Sequence, residues 1–270
     1  MKKILFPTDF SKASQHALGY AVSLAKELDA VIDVASIYRL PYVDAANVPP
    51  EWITEMQEEK RKVVISHLDA FVSGQPEKRI GKRMAIYGIF IPQEIHDLVK
   101  AEGYDLVVMG TRGEHHTKSE KFIGSITTHT MMQAPCPVLA VPEEAKWNVP
   151  ERIAFATDFG PRDEAAISQL MEFAAALAAS VHFVHVETAP GIGQMHDMIP
   201  LENYPFPFTE FAVVNSPAVM EGIDKYIKER KIDLLALFIP KRRLWERLFH
   251  SSFTKRMAFH SRTPLLVFKG

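Results

Sequence analysis

The chain is 270 residues long, 47% hydrophobic and 24% charged, with 31 basic side chains set against 33 acidic ones and a net charge of -2. That length and apolar content suffice for two buried cores in two domains of ordinary size, and the balanced charge removes any general electrostatic reason to expect a specific nucleic-acid partner. One cysteine, Cys136, excludes an intrachain disulfide and a thiolate metal knuckle, and no apolar run approaches the length that spans a bilayer.

The first predicted strand is Lys3 to Pro7, an apolar run ending in Thr8-Asp9, after which Ser11 stands as N-cap of a helix striped by Ala17, Leu18, Ala21, Val22, Ala25 and Leu28. Val31 to Tyr38 reads as a second strand, Glu51 to Phe71 as a charged helix, and Arg83 to Tyr87 as a third strand. A helix opened by Pro92 follows, since the missing N–H of proline costs nothing at a helix start. Asp105 to Met109 is a buried strand leading into Gly110-Thr-Arg-Gly113, Ser125 to Gln133 a helix, and Val138 to Val141 a last strand, with Cys136 as a packing residue just before it. The three apolar residues before Pro7 are too few for a signal-peptide core, so the chain reads as cytoplasmic.

The pattern then starts again. Lys3-Ile-Leu-Phe-Pro-Thr-Asp9-Phe-Ser11 returns as Arg152-Ile-Ala-Phe-Ala-Thr-Asp158-Phe-Gly160, the mark of a head-to-tail repeat. Ile153 to Ala156 begins the second copy. A helix from Gly160-Pro161, strands at Val181 to Val186 and Phe211 to Val214, a helix from Ser216-Pro217, and strands at Asp233 to Phe238 and Leu265 to Phe268 complete it. Asp158 follows Asp9 by 149 positions whereas Pro264 follows Pro137 by only 127, so 22 positions are lost between them. They match the helix at Glu51 to Phe71, replaced by a loop rich in proline and aromatics from Ala189 to Phe208. Strands alternating with helices define an α/β chain of two tandem, doubly wound, parallel five-stranded sheets. The expected domains are 1–144 and 150–270, joined by a short polar linker.

The order Ile4-Leu-Phe-Pro-Thr-Asp9-Phe-Ser11, Met109-Gly110-Thr-Arg-Gly113, Gly124-Ser125 and Pro135-Cys-Pro-Val138-Leu-Ala-Val141 resembles the universal stress protein family in tandem form. The resemblance implies the three-layer fold of the adenine-nucleotide alpha-hydrolase-like and flavodoxin-like type, and a stress-response protein that binds ATP, with room for Mg alongside it. It places the nucleoside near Pro7, Thr8, Asp9 and Ile37, and the phosphates on Met109, Gly110, Arg112, Gly113, Gly124, Ser125, Ile126 and Thr127. The residues supply a physical reason of their own. A turn whose bare amides approach phosphate oxygens needs positive φ and no Cβ, expected of Gly110 and Gly113. The helix opened by Gly124-Ser125 offers unpaired amides and a favourable dipole, with the Ser125 and Thr127 hydroxyls as further donors and Arg112 as the charged one. The spacer at 114–123 holds ten residues where the family pattern has nine, an excess able to displace the Gly124 amide.

Plainer readings stand beside these. Gly110 to Gly113 also fits a simple strand-to-helix turn, and Asp9 a helix-start residue, since it is retained as Asp158 in a copy that lost the glycines. His115-His116 are adjacent in a polar stretch, and His182 and His185 lie on opposite strand faces, so no metal site is expected. No nucleophile with a positioned base is legible; weak ATP hydrolysis at most is implied, with no dedicated catalytic residue. The second copy reads Ile239-Pro-Lys-Arg and Ser251-Ser252 where glycines are needed, so it is not expected to hold ATP. Its Lys241 to Phe249 stretch, basic with aromatics, reads as a surface for an anionic partner, a phosphate group or a membrane edge, or, the preferred reading, as a solvated face over an apolar stripe. The competing view is a nucleotide-free tandem scaffold whose second domain binds another ligand or protein. The final strands of the two copies are apolar edges able to pair with each other as an intramolecular pseudo-dimer, with a homodimer and an unknown protein client left open.

Overall fold

The computed structural model describes residues 1–41, 49–111, 124–157, 164–188, 209–239 and 262–269. The first half runs β1 (Lys3–Pro7), α1 (Lys12–Leu28), β2 (Val31–Tyr38), α2 (Pro50–Val72), a single 3-10 turn, β3 (Ile80–Tyr87), α3 (Ile91–Glu102), β4 (Leu106–Gly110), α4 (Ser125–Gln133) and β5 (Val138–Val141). The second runs β6 (Arg152–Ala156), α5 (Glu164–Ala176), β7 (Ser180–Glu187), β8 (Glu210–Asn215), α6 (Val219–Arg230), β9 (Leu234–Ile239) and β10 (Leu265–Lys269).

The ten strands among the described residues form one sheet in the order β3-β2-β1-β4-β5-β10-β9-β6-β7-β8. Each half is parallel within itself and has the same strand order. The halves join where β10 pairs antiparallel with β5, Leu266 opposite Leu139. The two apolar edges foreseen in the sequence thus cover one another.

Strand periodicity splits the core into two sides. The cluster that holds Ile4 and Phe6 of β1 takes in residues of α1 and α2 and, from the other half, of α5, whereas the cluster that holds Leu5 takes in residues of α3, α4 and α6. Helices on both faces are what a parallel sheet with no wet side requires.

Several boundaries differ from the sequence reading for identifiable reasons. β3 begins at Ile80, not Arg83, because a register irregularity opposite Asp33 lets the strand start earlier. There the buried Asp33 accepts the Lys82 amide on Oδ1 at 2.7 Å and the Tyr104 hydroxyl on Oδ2 at 2.8 Å. A Cβ at Gly81 would stand 2.2 Å from Asp33 Oδ1, so the glycine makes room for the carboxylate. α6 starts at Val219 behind an Ala218 cap without a side-chain bond, two residues beyond the expected Ser216-Pro217. Ser11 caps α1 as foreseen, accepting the Ser14 amide at 3.1 Å. The expected helix start at Gly160-Pro161, the loop 189–208 and the basic stretch 241–249 lie outside the described residues.

Candidate functional site

The crevice between the carboxyl ends of β1 and β4 is the point where strand order reverses, the usual ligand position in an open parallel sheet. β1 pairs with β2 up to Pro7 opposite Ala35, and with β4 at Leu5 opposite Val107. Pro7 therefore ends β1, and Ile37 and Met109 stand one residue before the ends of its two neighbours, β2 and β4. Ile37 and Met109 both belong to the apolar cluster on the α3 and α4 side, and Pro7 shares the strand face of Leu5 in that cluster.

The turn after β1 is held by its own side chains. Thr8 is buried, its Oγ1 accepting the Phe10 amide at 3.0 Å and lying 2.8 Å from Ser14 Oγ, while its amide donates to Ala35 O. Asp9, exposed, accepts the Ser11 amide on Oδ1 at 3.1 Å. Phe10 adopts φ 64°, a left-handed conformation costing an aromatic residue about 1 to 3 kcal/mol. Edge-on contacts with His67 and Phe71 of α2, centroids 5.7 and 5.6 Å away, keep it there. The Thr8 hydroxyl is thus engaged in building the turn. Phe10 and Ser14, which complete that turn, were not singled out from sequence; the Thr8 to Ser14 spacing across a helix start is their only signal.

The second wall departs from two expectations. Gly110 is the last residue of β4, paired with Val141 in extended backbone, and among the described residues only Gly74 and Gly103 are positive-φ glycines. Its conformation is dictated by the strand ladder. Thr127 is buried and its hydroxyl donates to the Gly110 carbonyl at 2.9 Å, so it is not a spare ligand donor. Gly124, the N-cap of α4 at φ -59°, gives its own amide to Thr111 O at 2.7 Å. This bond ties together the two residues that flank the interval 112–123 and seats Gly124 against the end of β4. Thr111, likewise not singled out from sequence, is fixed in turn by its amide bond to Val141 O at 3.1 Å.

Ser125, Ile126 and Thr127 then form the first turn of α4, where helix geometry provides no carbonyl for their amides and a glycine cap brings no side chain to occupy them. Ser125 and Ile126 are exposed. Such a helix start suits an anion, each dipole contribution being worth about 0.3 to 1 kcal/mol. Arg112 and Gly113 lie outside the described residues, as does Asp158.

Elsewhere the chemistry is structural. His182 Nδ1 lies 3.3 Å from Glu210 Oε2, and His185 Nδ1 2.9 Å from Thr157 O. Among the described residues no group of three His, Cys, Asp or Glu side chains could hold a metal. Burial pushes the half-buried Cys136 thiol up to about 12, consistent with packing. No helix among the described residues is long and apolar enough to cross a membrane.

A switch-point crevice between a capped turn and a helix start, at the carboxyl ends of β1 and β4, defines an α/β protein with a doubly wound parallel sheet in each half. The family model for the universal stress protein family matches residues 1–142, and the chain belongs to that family. It is similar to Universal stress protein MJ0531 of Methanocaldococcus jannaschii, 31% identical over 155 residues that cover 54% of this chain and 84% of that one. It is also similar to Universal stress protein YxiE of Bacillus subtilis, 32% identical over 146 residues covering 52% and 97%. A solved universal stress protein from Archaeoglobus fulgidus shares the fold at a TM-score of 0.69 and 18% identity, over 99% of this chain and 98% of that one.

Proposed function

We propose that this protein binds ATP in its first domain, residues 1–144, as a stress-response binding and signalling protein, and that the domain at 150–270 does not hold ATP in the same way. The observation that carries this reading is the first turn of α4: three amides beyond the reach of intrahelical carbonyls, behind a cap with no side chain, beside the β1–β4 crevice. The apolar ends of β2 and β4 at Ile37 and Met109 suit a nucleoside. Pro7 and the capped Thr8-Asp9 turn form the floor, and Gly110, Gly124, Ser125, Ile126 and Thr127, with Arg112 and Gly113, line the phosphate end. The donor set is neutral backbone apart from Arg112, so a magnesium ion accompanying the triphosphate would supply much of the countercharge. Family membership supports the reading. So does the absence of glycine at 251 and 252 in the second copy, where side chains would obstruct the amides.

Calorimetric titration of the full chain with ATP tests it. One nucleotide per chain is expected, and ATP at about 100 times its Kd should stabilise the protein by about 2.7 kcal/mol. Gly124→Val should abolish both effects. Two equivalents per chain would refute the asymmetry between domains, and no uptake with or without magnesium would favour a nucleotide-free scaffold holding a protein client.

A further inference from the structure

We infer that Thr127 is a positioning residue of the phosphate cradle: its side chain, rather than touching the ligand, sets the direction in which the first amides of α4 point. The inference rests on the ATP-binding reading above. Thr127 is the third residue of α4 and is 4% exposed. Its hydroxyl crosses to the carbonyl of Gly110, the last residue of β4, at 2.9 Å. Gly124, at the head of the same helix, donates to the carbonyl of the next residue, Thr111, at 2.7 Å.

One attachment would leave the helix free to swivel about it. Two, three residues apart on α4 and to consecutive carbonyls of one strand end, fix both the distance of the helix start from the sheet and its rotation about its own axis. The far anchor is firm as well, because Gly110 pairs with Val141 and the Thr111 amide donates to Val141 O at 3.1 Å. The amides of Ser125, Ile126 and Thr127 are thereby aimed from a frame built by β4 and β5. A multidentate amide cradle depends on angle, since a hydrogen bond weakens steeply below about 120°. A small rotation of α4 would cost phosphate binding while leaving apolar contacts at Ile37 and Met109 unchanged.

The test compares ATP with AMP, which shares the nucleoside and lacks the outer phosphates, by calorimetry on the full chain. Wild type should prefer ATP. Thr127→Val keeps the shape and removes the hydroxyl; it should lower ATP affinity by about tenfold, the equivalent of roughly one hydrogen bond, while AMP affinity changes by less than about threefold. Thr127→Ser, which keeps the hydroxyl, should restore the preference for ATP. Thr127→Ala serves in the same comparison if the valine variant does not fold, as judged by circular dichroism and the ligand-free thermal midpoint.

An unchanged ATP-over-AMP ratio in a folded variant lacking the hydroxyl would overturn the positioning role while leaving ATP binding intact. Equal loss of both nucleotides would also overturn it, reducing Thr127 to a general structural contact. A wild-type protein that takes up neither nucleotide would overturn the functional reading and this inference together.

Discussion

Asp33 and His182 occupy matching places in the two halves, the third residue counted from the β1 and β6 partners Val31 and Ser180, and both are buried. Their partners differ in chemistry. Asp33 is satisfied by a backbone amide and the Tyr104 hydroxyl, whereas His182 lies 3.3 Å from each of Ser180 Oγ, Glu210 Oε2 and Tyr226 Oη. Replacing Gly81 by Ala should destabilise the protein by about 1 to 3 kcal/mol, because the new Cβ and Asp33 Oδ1 would compete for one space. Denaturant titration reads this directly, and Asp33→Ala alone should also destabilise by stranding the Tyr104 hydroxyl and the Lys82 amide.

Alkaline pH offers a second check at the same scale. Burial raises Cys136 from 9.0 to about 12, and burial followed by the Glu210 carboxylate raises Tyr226 from 10.0 to about 12. Both groups hold their protons more tightly when folded. Their contribution is therefore complete below about pH 9 and is lost as pH rises toward 12. Stability measured by urea unfolding should fall over that window, with a shallower fall in Cys136→Ala. At neutral pH the Cys136 thiol should react slowly with a disulfide reagent.

At the scale of elements, α1 and α4 show two ways of starting a helix. α1 is closed by the Ser11 side chain and a buried Ala17, Leu18, Ala21 and Leu24 stripe; Ser11→Ala should cost about 0.5 to 2 kcal/mol by thermal unfolding. α4 has a glycine cap, which brings no side-chain hydrogen bond to its first turn. The bond between Thr111 and Gly124 holds the start of α4 directly against the end of β4. Deleting one residue within 114–123 should thus change ATP affinity less than Thr127→Val does, as calorimetry would report. The sequence motifs pointed to the Thr8-Asp9 turn and to Gly110 and Gly124, which the fold brings to the ends of β1 and β4 and to the start of α4. What they concealed was the division of labour: Gly110 is a strand residue, and the Thr8 and Thr127 hydroxyls are joints of the scaffold. A hydroxyl has the same letters in the sequence whether it faces a ligand or a carbonyl across the fold.

At the scale of the molecule, the seam between β5 and β10 makes one ten-stranded sheet from two five-stranded units. Leu139 and Leu266 meet there, both fully buried. Leu266→Ala should destabilise by about 2 to 5 kcal/mol in denaturant unfolding, through the cavity it leaves at the centre of the sheet. The seam also brings Lys269 of β10 to the end of α4, where its Nζ donates to Gln133 O at 3.0 Å. The helix that begins at the crevice therefore ends against the other half.

By itself the sequence determined the repeat, the alternation of strands and helices, and the places of the glycines. Periodicity, capping residues and turn chemistry are local properties that survive in a linear string. Only the tertiary structure decided which polar groups are taken up within the fold, because that depends on which carbonyls and hydroxyls arrive from distant strands. Thr127 meets Gly110, Thr111 meets Gly124 and Asp33 meets Tyr104 across separations that no local pattern encodes. Each of those meetings removes a polar group from the pool available to a ligand.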